Sequence, residues 1–212
     1  MCFLLALFRT FFHLLYHEFA WTYDLVAATV SLGRWKTWVL TALPYLSGRV
    51  LEIGFGPGHL QLSMSARGMQ PFGLDESLQM GRQASRGLRR KGFPANLSRG
   101  VAQNLPFPTN AFETVVATFP SEYIFAPNTL SETRRVLVPG GRLVILPTAL
   151  ITGHTFLERL AAGLFKVTGQ AFSIEAILPG IKSRLQAAGF AVRHELVQYP
   201  GSQVLVIIAS KP

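Results

Sequence analysis

The chain has 212 residues, enough for one domain with a full hydrophobic core, and at 49% hydrophobic and 15% charged it is apolar for a soluble protein. A single cysteine, Cys2, excludes an intramolecular disulfide and speaks against a thiolate metal site. The net charge of +9 raises the question of a polyanionic partner.

Residues 1–23 are unusually apolar: Cys2 to Phe8 is an unbroken hydrophobic run, and aromatic and aliphatic residues dominate through Trp21. Arg9, His13 and His17 recur every four residues, a narrow polar stripe on an otherwise greasy helix. Arg9 inside the run and Glu18 near its end count against a membrane span, and no basic leader or small-residue cleavage site marks a secretory signal. Three readings stay open for residues 1–20: a peripheral membrane contact, a helix capping a pocket, or one side of an oligomer. Localisation is then cytoplasmic, with or without peripheral attachment to a membrane. Trp35 and Trp38 follow on the next helical stretch and read as core, and Pro44 ends that stretch.

Val50, Leu51 and Ile53 suit a buried strand, which runs into a loop where Gly54, Gly56 and Gly58 alternate with other residues. Glycine admits positive φ and lets a ligand approach the main chain. A periodic segment from His59 to Arg67 then reads as a helix whose first N–H groups face the loop. Strand, glycine loop and helix together suit a nucleotide-like ligand at the carboxyl edge of a parallel sheet. The dinucleotide register G-x-G-x-x-G fails, because its sixth position is His59 counted from Gly54 and Gln61 counted from Gly56. No Gly-Lys-Ser/Thr follows, so a P-loop is excluded as well.

Gln70 to Leu74 reads as the second strand, ending in Asp75, 21 residues beyond Gly54. That spacing suits a carboxylate that accepts from ribose hydroxyls. Ser77 to Lys91 is a basic helix in which Arg82, Arg86, Arg89 and Arg90 recur at helical spacing. It reads as a solvated face or as a membrane or nucleic-acid patch; no nucleic-acid-binding motif accompanies it. A third strand lies near 95–98, a fourth at 112–117 and a fifth after Pro139-Gly140-Gly141. Material from Pro147 to Leu178 is extra, with Phe156, Leu157, Leu160, Leu164 and Val167 at helix-like intervals. A last helix at 180–188 and strands at 191–198 and 203–209 finish the chain.

Several stretches in order resemble the class I S-adenosylmethionine-dependent methyltransferases of small-molecule type, and are similar to the ubiquinone and menaquinone biosynthesis methyltransferases. These are Phe19-Ala-Trp-Thr-Tyr23-Asp24, Glu52-x-Gly54-x-Gly56-x-Gly58, Gly73-Leu-Asp75-Glu-Ser77, Gly100-Val101-Ala102-Gln103-Asn104-Leu-Pro-Phe-Pro108 and Glu132-x-x-Arg135-Val-Leu-Val-Pro139-Gly-Gly141. The resemblance implies an α/β Rossmann-like fold, with a seven-stranded, mostly parallel sheet, helices on both faces and a terminal antiparallel hairpin. It implies one domain, with 1–46 as a helical lid or membrane-contact segment and 47–212 as the core, carrying a helical insertion at about 148–178. The implied cofactor is S-adenosylmethionine, held by Tyr23, Glu52, Gly54, Gly56, Gly58, Asp75, Ala102, Gln103 and Phe119. Val101 departs from the family pattern, which has an aspartate there to accept from the adenine amino group; Gln103 or Asn104 would have to replace it.

Methyl transfer from a sulfonium needs alignment and exclusion of water more than it needs a base. No catalytic residue is named, although Glu122 and Tyr123, after the fourth strand, stand where the family has its chemistry. The greasy ends of the chain point to a small hydrophobic acceptor. A membrane-associated binding protein that has lost catalysis is the alternative, supported by Val101 and by the lack of an evident base. A nicotinamide dehydrogenase is disfavoured by His59.

Overall fold

A computed structural model describes residues 33–152 and 174–212. The elements in order are α1 (Trp35–Leu40), β1 (Val50–Ile53), α2 (His59–Ser65), β2 (Phe72–Asp75), α3 (Leu78–Arg90), β3 (Asn96–Arg99), β4 (Phe112–Thr118), α4 (Pro127–Val136), β5 (Leu137–Ile151), α5 (Ile174–Ala187), β6 (Ala191–Tyr199) and β7 (Ser202–Ser210). They form one seven-stranded sheet in the order β3-β2-β1-β4-β5-β7-β6. Strands β1 to β5 pair in parallel, and β7 is antiparallel to both β5 and β6. The expected sheet and terminal hairpin are both present.

The sheet is apolar on both faces, as a parallel sheet covered by crossover helices must be. Its central strands divide their side chains with period two. Leu51, Ile53, Val115, Ala117, Leu143, Ile145, Leu205 and Ile207 point to one core, shared with Leu130 of α4 and Leu185 of α5. Val50, Val116, Val144, Leu146, Val204, Val206 and Ile208 point to the other, shared with Trp38 of α1 and Leu60 and Met64 of α2. The alternation puts Glu52 on the α2 side, among apolar neighbours.

Helix α1 is held to the terminal hairpin by polar bonds. The Trp38 indole N–H donates to Ser202 Oγ at 3.1 Å, and the hydroxyls of Thr41 and Tyr199 share a 2.9 Å bond. After it, Tyr45 Oη donates to Glu195 at 2.7 Å. Residues 35–45 therefore belong to the body of the fold, while Tyr23 and the apolar run before it lie outside the described residues.

Three boundaries differ from expectation. Strand β5 does not stop near Ile145: a register shift between Ile145 and Thr148 absorbs Pro147, and pairing with β7 resumes as far as Ile151. Helix α5 begins at Ile174 and contains Pro179, six residues before the expected start at 180. The insertion expected at 148–178 is thus shortened at both ends, and its amphipathic stretch from Phe156 to Val167 lies outside the described residues. The Pro139-Gly140-Gly141 turn is an irregularity inside β5, where Gly140 takes φ +76° and its N–H donates to Lys211 O at 2.9 Å.

Candidate active site

The carboxyl ends of β1, β2, β3 and β4 lie along one edge of the sheet, and the chain turns there at the glycine loop, Asp75, Ala102 and Phe119. The three glycines differ in what surrounds them. All three have positive φ, a conformation that other residues avoid. A Cβ on Gly54 would stand 2.5 Å from Tyr123 Oη, and one on Gly58 would stand 2.8 Å from Ala84 Cβ on α3. A Cβ on Gly56 would meet nothing within 4 Å. Gly58 therefore serves helix packing, Gly54 admits the Tyr123 phenol, and Gly56 faces open space in which a ligand can approach the main chain.

Asp75 ties this loop to the next helix. One carboxylate oxygen accepts from Gly56 N–H at 2.9 Å, and the other from Ser77 N–H at 2.8 Å. Ser77 in turn caps α3, its Oγ accepting from Met80 N–H at 3.3 Å. The two main-chain bonds favour the charged form of Asp75, but burial outweighs them and its pKa is raised. Each carboxylate oxygen keeps a second lone pair, so the group can still accept from sugar hydroxyls.

Glu52 is almost fully buried and receives a 2.9 Å bond from Gln61 Nε2, which also donates to Phe72 O. Burial pushes its pKa up to about 8, further raised by the Asp75 charge and opposed by the Gln61 bond. Sequence reasoning missed Gln61, although a glutamine between Leu60 and Leu62 on a buried helix face was the available signal.

The adenine-side loop is held from a distance. Glu132 on α4 accepts from Leu105 N–H at 2.8 Å and from Arg135 at 2.7 and 2.8 Å. Arg135 donates onward to Phe107 O at 2.8 Å and Leu105 O at 3.0 Å. The Arg135 bonds lower the pKa of Glu132, and Glu132 raises that of Arg135. Read from sequence, Glu132-x-x-Arg135 is only part of a helix; in the structure it clamps the 105–107 segment. In the loop Ala102 is buried, whereas Val101, Gln103 and Asn104 are exposed.

At the end of β4, Phe119 adopts φ +50°, a strained conformation for a bulky residue, and its N–H donates to Leu146 O at 2.7 Å. Its ring packs against Trp35 with centroids 4.7 Å apart and lies 6.4 Å from Trp38, an aromatic cluster beside the strand end. Glu122 is exposed, while Tyr123 is half-buried with its hydroxyl over Gly54. The structure thus brings Glu52, Gly54, Gly56, Gly58, Asp75 and Tyr123 together, sets Ala102 and Phe119 at neighbouring strand ends, and leaves Gln103 in solvent. The open Gly56 main chain beside the Asp75 carboxylate fits the glycine-loop and ribose contacts of S-adenosylmethionine.

Comparison with known proteins gives the family and the fold. A family profile described as a methyltransferase domain matches residues 50–141. The chain is 30% identical over 209 residues to the demethylmenaquinone methyltransferase of Thermus thermophilus, covering 87% of this chain and 95% of that protein. It is 32% identical over 144 residues to the demethylmenaquinone methyltransferase of Symbiobacterium thermophilum, a match spanning 62% of this chain and 57% of that relative. Among solved structures, an S-adenosylmethionine-dependent methyltransferase of Thermotoga maritima, described as a possible histamine N-methyltransferase, aligns with a TM-score of 0.61. It is 21% identical and covers 94% of this chain and 99% of its own, a likeness of fold. None of these findings supports the non-catalytic alternative.

Proposed function

The chain belongs to the class I S-adenosylmethionine-dependent methyltransferases, and we propose that its acceptor is a small apolar ring of the quinone type represented by demethylmenaquinone. The observation that carries the proposal is the 30% identity to the Thermus protein along nearly the whole of both chains. The aromatic surround of the β4 end, made by Phe119, Trp35 and Trp38, is consistent with an apolar ring.

S-adenosylmethionine, when bound, supplies a methyl group already activated on a sulfonium. Gly56 leaves its main chain open to the cofactor, and Asp75 presents a carboxylate fixed by two main-chain bonds. The aromatic cluster at the β4 end keeps water away from that side of the site. A quinone ring carbon is electron-poor, so the acceptor reacts as the reduced hydroquinone, whose oxygen feeds electrons to the neighbouring ring carbon. That carbon takes the methyl group and releases its proton. In this reading Tyr123, whose hydroxyl lies over Gly54, hydrogen-bonds the hydroquinone oxygen and orients the ring; its closeness to the glycine loop supports that role.

The test is methyl transfer by the purified full chain to chemically reduced demethylmenaquinone in detergent, set against histamine, an ethanolamine phosphate and transfer RNA, with product mass as the readout. Methylation of the reduced quinone is expected. Methylation of a polar acceptor with none of the quinone would overturn the proposal. The variant Tyr123→Phe should lower kcat about tenfold or more while leaving S-adenosylmethionine affinity near wild type; the reverse pattern would assign Tyr123 to the cofactor.

A further inference from the structure

We propose that the face formed by α3 and β3 docks the protein on an anionic phospholipid surface. Between residues 77 and 99 the chain carries Arg82, Arg86, Arg89, Arg90, Lys91 and Arg99 and no carboxylate, although the whole molecule is only +9. Arg82, Arg86 and Arg89 stand four and three residues apart, so they form one stripe along α3. All three are exposed, and among the described residues none of their side chains is hydrogen-bonded or ion-paired. Arg99 joins them from the end of the edge strand, its Nε donating to Glu76 O at 3.0 Å. The four residues line a cleft of about 400 Å³ together with Ser85, Ser98 and Asp75. Asp75 already accepts from two main-chain N–H groups, and the next residue, Glu76, is an exposed carboxylate whose main-chain oxygen accepts from Arg99.

Shape and neighbours decide the partner. The three α3 arginines are spread over about 10 Å of helix and do not converge on one point, which suits a surface of many phosphates better than a single ion. Among the described residues that line the cleft the one aromatic, Phe55, is 4% exposed and offers a base little to stack on. Large apolar side chains stand out beside the charges instead. Leu78 is 43% exposed at the rim of the cleft, and Val101 is 47% exposed two residues beyond Arg99. Basic residues with exposed apolar side chains beside them suit an anionic lipid surface, where the charges meet headgroup phosphates and the apolar tips reach the acyl boundary. The choice of a bilayer over another polyanion rests in part on the proposed apolar acceptor, which would partition into one.

The full chain is sedimented with vesicles of phosphatidylcholine alone and with vesicles containing about one-third phosphatidylglycerol. Binding to the anionic vesicles only is expected, weakening as salt rises from ~0.1 M to ~0.5 M. Replacing Arg82, Arg86 and Arg89 together by Gln should lower partitioning on the order of 100-fold. Replacing the exposed Lys36, Arg67 and Arg184 by Gln removes the same charge elsewhere and should change it several-fold at most. Equal binding to neutral vesicles would overturn the proposal, as would equal loss in the two triple variants. Tighter binding to duplex DNA, lost in the α3 variant, would overturn it in favour of a nucleic-acid partner. Because sedimentation needs no methyl transfer, failure of the quinone assay in detergent leaves this result standing, and failure of sedimentation leaves that assay unaffected.

Discussion

At the scale of the residue, the site depends on how one buried carboxylate is charged. Glu52 has its pKa raised from 4.5 to about 8, chiefly by burial. Below about 4.5 it is neutral in folded and unfolded chains alike, and above about 8 it is charged in both. In between, the folded protein holds a proton that the unfolded chain has released, so folding is favoured less as pH rises through this window. Asp75, also raised, acts in the same direction. Glu52→Gln removes the titration while keeping an acceptor for Gln61, so its unfolding free energy should lie flatter than wild type between pH 5 and 8, by on the order of a few kcal/mol across the window. Urea unfolding at stepped pH measures this, and parallel curves for the two proteins would refute it. The glycines make a second prediction at this scale. Gly58→Ala places a methyl 2.8 Å from Ala84 Cβ and strains a φ of +86°, so it should lower Tm. Gly56→Ala meets no neighbour and incurs only the strain of its φ, about 1–2 kcal/mol, yet it should weaken S-adenosylmethionine binding the more of the two. Calorimetry of both variants, with and without ligand, separates packing from binding.

At the scale of the element, the loop between β3 and β4 is long and would wander without a tether. Glu132 and Arg135 supply it from one turn of α4, through three bonds to the main chain of 105 and 107. Lysine cannot reproduce a planar fork that serves a carboxylate and two carbonyls at once. Arg135→Lys should therefore cost about 1.5–3 kcal/mol, speed amide exchange across 101–107, and lower S-adenosylmethionine affinity with acceptor KM little changed. Faster exchange confined to α4, with the loop as protected as in wild type, would show that the clamp does not hold it. This element also shows what a sequence can disclose. The link from Gly56 through Asp75 and Ser77 to Met80 was legible because each of its hydrogen bonds spans fewer than about 20 residues along the chain. The clamp joins residues up to 30 apart across two layers, and spacing alone does not say that a helix holds a loop. Two expected bounds also moved: a bulge in β5 takes Pro147 and the strand runs on to Ile151, and α5 starts at Ile174 and contains Pro179. At Pro147 the pairing with β7 outweighed the local rule.

At the scale of the whole molecule, the last strand made is not the last strand in the sheet. Strand β7 lies between β5 and β6 and gives β6 its only partner among the described strands. Alternation of Val204, Leu205, Val206, Ile207 and Ile208 feeds both cores, and each of the five is at most 1% exposed. The apolar pattern made the strand and its burial legible beforehand, since a run apolar at every position has two buried faces. Its place inside the sheet follows from the antiparallel pairing, which brings the chain back between two strands that are otherwise unconnected. Burying five such side chains contributes ~8–15 kcal/mol at ~1.5–3 kcal/mol each. That is comparable to the whole stability of a typical domain, ~5–15 kcal/mol. Removing residues 202–212 should therefore abolish cooperative unfolding and leave β5 with an apolar open edge prone to aggregate. Ile207→Ala, which keeps the pairing and deletes one side chain, should fold and lose about 2–5 kcal/mol. A soluble truncated chain with a cooperative melt would mean that β1 to β5 and their helices are stable alone, and that the terminal hairpin supports the site without completing the fold.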